Sequence, residues 1–136
     1  MIHTFLTVMS ALASVFALLV GLLVQAPASV TGTWEGTFSF FRDGQLVDTD
    51  PVSMVLKQDG ATLTGTAGPN AGRQFPITKV KFKAAKEGTT MAFEVEAGSL
   101  VLWFDLKLEN GIIKGLASGE KNGEKQTAQV ELKPVK

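Results

Sequence analysis

The chain has 136 residues, and Lys plus Arg balance Asp plus Glu at 13 each, every one of these charges lying at or beyond Glu35. A neutral chain lacks the basic footprint that nucleic acid or an anionic membrane surface requires, and this length suits one domain with a single modest core. Cysteine and tyrosine are absent and the one histidine is His3, which removes disulfides, thiolate nucleophiles, thiolate zinc sites and, beyond the first residues, the commonest general base.

From Phe5 to Val24 the residues are apolar or small without a charge, and the run ends at Gln25-Ala26-Pro27-Ala28-Ser29. Ala26 and Ala28 form the small-x-small pattern read by signal peptidase, so the expected cut falls after Ala28. The n-region, Met1-Ile2-His3-Thr4, carries no Lys or Arg, and an apolar run of this length can also span a bilayer. Three readings are open: a cleaved signal peptide, an uncleaved signal anchor, or a buried core helix. The expected division is a hydrophobic signal helix over residues 1–28 and one folded domain over 29–136. That domain is secreted or periplasmic, or membrane-anchored if the leader is retained.

Beyond the leader the hydrophobic period is two, with frequent Gly, Asp and Asn. Eight short strands are expected. In the first, Val30 to Arg42, Trp34, Gly36, Phe38 and Phe40 share one face and Thr33, Glu35, Thr37 and Ser39 the other. The second, Val52 to Lys57, turns Val52, Met54 and Leu56 inward, and Asp59-Gly60 leads into the third, Ala61 to Gly68, with Leu63, Gly65 and Ala67 inward. In the fourth, Phe75 to Lys83, Phe75 and Ile77 have one parity and Val80 and Phe82 the other. A β-bulge near Thr78-Lys79 reconciles them.

The fifth strand, Thr89 to Glu96, alternates most cleanly, with Met91, Phe93 and Val95 inward. The sixth, Leu100 to Glu109, places Leu100, Leu102, Phe104, Leu106 and Leu108 inside, and Asn110-Gly111 is a type I′ hairpin signal into the seventh, Ile112 to Ser118. Across that turn Leu106 faces Gly115 and Phe104 faces Ala117, large against small, as a tight interior requires. The eighth, Glu124 to Lys133, turns Ala128, Val130 and Leu132 inward. The pattern predicts an all-β, eight-stranded antiparallel up-and-down barrel preceded by the hydrophobic helix, because closure removes the two open edges; a β-sandwich is the alternative. The links Gln58 to Gly60, Ala84 to Gly88 and Asn110-Gly111 are compact. Those at the other end, Asp43 to Pro51, Gly68 to Gln74 and Gly119 to Gly123, are longer or richer in Gly, Pro and Asp, with only Ala97 to Ser99 short, which puts a candidate mouth opposite Trp34.

Gly32-Thr33-Trp34 at the entrance to the first strand resembles the Gly-x-Trp motif of the lipocalin-like and avidin-like (calycin) barrels. Asp59-Gly60-Ala61-Thr62-Leu63-Thr64-Gly65-Thr66 is similar to the second hairpin of avidin-like chains. The resemblance covers the whole of 29–136 as topology and implies a ligand cup at the long-loop end and a floor on Trp34. In that family an Arg on the last strand packs on the Trp; here no Arg follows Arg73, and Lys133 is the nearest substitute. The polar residues and stacking tryptophans of an avidin-like biotin site are not matched.

The candidate ligand-lining residues are Phe38, Phe40, Met54, Leu56, Phe93 and Phe104, with Arg42 and Arg73 at the mouth to meet a carboxylate or phosphate. The same apolar residues can instead fill the interior, since eight strands leave room only for side chains or one small ligand. Asp43, Asp48 and Asp50 have carboxylates near one another in sequence, but without the EF-hand pattern they read as a solvated loop. Val101, Trp103, Ile112 and Leu116 have outward parity and form a candidate apolar contact face for a homo-oligomer or protein partner. No metal, cofactor or catalytic constellation is expected. The leading expectation is a non-enzymatic barrel holding a small apolar or amphipathic molecule. A protein-interaction module, inhibitor-like or an assembly domain, is the alternative, and an enzyme comes last.

Overall fold

The computed structural model describes residues 29–121 and 123–136. The leader, its cleavage site and the question of an anchor lie outside them. Eight antiparallel strands follow one another: β1 (Gly32–Arg42), β2 (Gln45–Asp59), β3 (Thr62–Asn70), β4 (Arg73–Lys83), β5 (Thr89–Ala97), β6 (Leu100–Glu109), β7 (Ile112–Lys121) and β8 (Glu124–Pro134). They form a closed barrel, because β1 pairs with β2 on one side and with β8 on the other, from Trp34 opposite Pro134 to Ser39 opposite Gln129. That ladder rules out the sandwich.

The large-against-small pairing on β6 and β7 is as the hairpin signal requires, with Leu106 opposite Gly115 and Phe104 opposite Ala117. A Cβ at Gly115 would stand 2.0 Å from the Asp105 carbonyl oxygen, so only glycine allows the two strands this approach. The phase break in β4 is a bulge: its register with β5 shifts between Thr78 and Lys81, and Lys79 takes φ 52°. Parity is thereby reset, and Ile77 and Phe82 both join the core.

The strands are longer than the apolar alternation. The loop expected over Asp43 to Pro51 is a two-residue turn, Asp43-Gly44, with φ of 52° and 78°, the left-handed conformations of a type I′ hairpin. Pro51 does not break β2, because β2 finds a β3 partner only from Ser53 onward; before that it is an edge, where a missing N–H is tolerated. The links expected over Gly68 to Gln74 and Gly119 to Gly123 shrink likewise, with strands resuming at Arg73 and Glu124. The longest link is residues 84–88, at the Trp34 end. Loop length therefore gives no polarity to this barrel.

Polarity comes instead from packing. At the Trp34 end Met54, Leu56, Met91, Leu106, Ile113 and Leu132 are all 2 % exposed or less and fill the lumen. The first strand begins at Gly32, not Val30; Val30 lies ahead of it and is fully buried as part of the floor. The Trp34 indole Nε1 donates to the Val30 carbonyl oxygen at 2.8 Å, and the Val30 N–H donates to Gln58 Oε1 at 3.1 Å. Gln58 N–H in turn donates to Thr31 Oγ1 at 2.9 Å, stitching the incoming chain across the end of β2.

Candidate functional site

The other half of the barrel is hollow. A cavity of about 880 Å³ opens between the ends of the strands opposite Trp34, a size within the range of small-molecule pockets. Its wall is apolar in depth, with Phe38, Val52, Phe75, Val95, Leu102 and Phe104, and small where Ala67, Ala117 and Ala128 stand. Those three alanines make the space. Toward the rim it turns polar, with Asp50, Arg73, Ser99, Glu124 and Gln126.

The base of the cup is an aromatic stack. Phe104 packs on Phe93 at 5.1 Å between ring centroids and on Phe38 at 5.9 Å, and Phe38 reaches Phe40 at 6.5 Å. Such tilted pairs hold their rings beyond what area burial alone supplies. Of the residues expected to line a ligand space, Phe38, Phe40, Phe104 and Arg73 do so. Met54, Leu56 and Phe93 do not. They are 0 %, 2 % and 3 % exposed within the filled half, Phe93 directly behind Phe104. Inward parity alone cannot distinguish the filled half from the hollow one.

Arg42 is exposed at the tip of the β1–β2 hairpin and is not part of the cavity wall. Lys133 is not a floor residue either: it sits opposite Glu35 with Leu132 inward beside it, so the period of two sends it to the outer surface. Val30 takes the place expected for it against Trp34. Asp43 falls in the turn, while Asp48 and Asp50 pair with Phe40 and Phe38 on β2. Among the described residues no group of His, Cys, Asp or Glu is arranged to hold a metal ion.

Sequence reasoning missed part of the wall. Asp50 continues the inward parity of Val52 and Met54, and Glu124 and Gln126 continue that of Ala128, but their polarity hid them. Parity had already turned Phe75, Val95 and Leu102 inward without marking them as cup residues.

The expected contact face is interrupted. Trp103 is half-buried, its indole donates to Glu94 Oε1, and the Lys125 ammonium lies over its ring at 5.8 Å. Ile112 stands opposite Glu109, Leu116 opposite Asp105 and Val101 opposite Glu120, with the Lys107 and Lys114 pair between Ile112 and Leu116. Only Leu116, at 50 %, is broadly exposed. Glu94 also takes an ion pair from Lys79 at 3.0 Å. The Lys79 hydrogen bond, helped by that of Trp103, holds the Glu94 carboxyl below the usual carboxylate range, and the same contact raises the Lys79 ammonium. The more continuous exposed apolar surface is the hairpin tip, where Phe41 pairs with Leu46 and both, with Val47, are 46–57 % exposed. Period-two alternation turns Phe41 away from the cup, and the register shift beside it leaves Val47 as the extra residue of β2.

No family model matches the chain, nor does any curated protein or solved structure.

Proposed function

We propose that the protein is an exported, non-enzymatic binding barrel that holds one small apolar or amphipathic molecule in the cup opposite Trp34. The observation that carries this is the division of the lumen: one half is packed solid and the other leaves about 880 Å³ lined by apolar side chains. A barrel that needed only a core would fill both halves, since an unfilled apolar space forfeits dispersion contacts. The resemblance to calycin barrels supports the same reading through the buried Trp34 at a closed floor. Export rests on the apolar leader and the Ala26-x-Ala28 pattern, with a retained membrane anchor as the alternative.

Native mass spectrometry of the purified protein, with displacement of a fluorescent apolar probe, tests the reading. Stoichiometric capture of one apolar molecule is expected. A protein that takes up no probe, and loses none of its stability when stripped with organic solvent, ends it.

A second reading, a protein-interaction module, draws on the exposed Phe41, Leu46 and Val47 at the β1–β2 tip more than on Trp103, whose charged neighbours interrupt the face. Leu46→Glu would then shift sedimentation or abolish a partner without unfolding the barrel, while Trp103→Glu would leave association intact. An unchanged monomer for both variants, with no partner lost, removes this reading.

A further inference from the structure

We propose that the ligand of the cup is a single-chain amphipath bearing one anionic group, held at Arg73 with its chain running down to Phe104. This deepens, and rests on, the binding-barrel reading. Among the described residues Arg73 is the only cation of the cavity wall. Its guanidinium lies over the Phe75 ring, 5.8 Å from the centroid, and among the described residues the ion pairs are Lys79 with Glu94 and Lys107 with Glu109, so no carboxylate occupies it. A cation–π contact takes none of the guanidinium's N–H donors, so they remain for the fork that matches a carboxylate or a phosphate monoanion. Phe75 itself lines the cup, so the charge sits at the upper boundary of the apolar wall, where an amphipath changes from head to chain.

The other charges of the wall limit the head group. Glu124, at the start of β8, is four strands from β4 in a closed barrel of eight and therefore on the opposite wall, while Asp50 stands on β2, two strands from β4. Neither forms an ion pair among the described residues. Their carboxylates repel an anion from their own walls and disfavour a second negative charge on the same ligand. A monoanion on the β4 side satisfies Arg73 and lies across the cup from Glu124, with Asp50 on its flank. Below it Phe38, Leu102 and Phe104 accept an alkyl chain without asking for a hydrogen bond.

Three compounds with the same dodecyl chain test this by displacement of an uncharged probe near neutral pH: the carboxylic acid, the alcohol and the trimethylammonium salt. The acid is expected to bind about fivefold more tightly than the alcohol, as one solvent-accessible ion pair allows, and the ammonium salt less tightly than the acid. Arg73→Gln should abolish the acid's advantage and leave the alcohol unchanged, Arg73→Lys should keep part of it, and Asp50→Asn should strengthen the acid alone. Thermal unfolding of each variant verifies that the barrel persists. A salt bound as tightly as the acid, or an acid preference that survives Arg73→Gln, overturns the head-group assignment while leaving the cup. Failure of all three compounds to bind overturns the binding reading together with it.

Discussion

Two leucines on one strand measure the difference between the filled and hollow halves of this barrel. Leu106 is 1 % exposed and packs in the filled half opposite Gly115. Leu102, four residues earlier on β6, is half-buried and faces the cavity. Leu→Ala removes three carbons, about 2.4 kcal/mol of transfer free energy at ~0.8 kcal/mol per buried methylene. At Leu106 a closed void adds to this, so Leu106→Ala should cost about 3–5 kcal/mol. At Leu102 part of the side chain is already in contact with solvent and truncation only widens an existing space, so the cost should stay near 1 kcal/mol. Urea unfolding of both variants, followed by fluorescence and analysed with a common m-value, gives the comparison. Equal losses would mean that the upper half is packed in solution, and the cup, with everything built on it, would be refuted.

Trp34→Phe keeps a ring on the floor but leaves the buried Val30 carbonyl without its donor, and should cost about 1–3 kcal/mol, whereas Lys133→Ala on the outer face should fall within about 0.5 kcal/mol of the parent; a large effect of Lys133→Ala by the same unfolding assay would reinstate it as the floor. Gly115→Ala should prevent folding or lower Tm sharply, since its Cβ would meet the Asp105 carbonyl oxygen at 2.0 Å, and a soluble variant with parental Tm would contradict the strand spacing. Glu94→Gln probes the outer-face ion pair. The Glu94 carboxyl lies below its ordinary 4.5 because Lys79 and Trp103 donate to it. Its stabilising contribution is therefore present above pH 4.5 and lost as pH falls through the lowered value, so the Tm difference between parent and Glu94→Gln should shrink toward zero on acidification. On the alkaline side the raised Lys79 makes the same pair persist through pH 10.5 and fail only above it. A Tm difference that stayed constant across the acid range would show that the pair contributes nothing.

The number of strands, their facing and the bulge in β4 were legible because each is written in a period-two pattern or in its interruption. Strand length was not. Backbone pairing in β1 and β2 continues to Arg42 opposite Gln45, well past the last inward apolar side chain, and such polar ladder positions resemble a loop in sequence. Asp43-Gly44 is a turn dipeptide of the same kind as Asn110-Gly111, but the polar run through Asp48-Thr49-Asp50-Pro51 reads as loop. The site was half legible for a related reason. Parity turned Met54 and Phe104 inward alike, yet one is sealed at the level of Trp34 and the other faces an open space. What separates them is height along the barrel axis, set by the pairing register, and by the alanines at 67, 117 and 128 that clear the upper half.

The floor has a consequence for how the molecule can be held. Ser29 precedes the buried Val30, and at the other terminus the Val135 N–H donates to the Thr33 carbonyl oxygen at 2.9 Å. The first and last described segments thus meet at the same pole, on the far side of the barrel from the rim. A tether, surface linkage or fused neighbour joined directly at Ser29 or after Val135 would leave the rim unobstructed. In a chain beginning at Ser29, joining the two ends with a short linker and opening the chain at Gly98-Ser99 would move the attachment point to the rim, and so show whether traffic through the mouth depends on which pole is anchored.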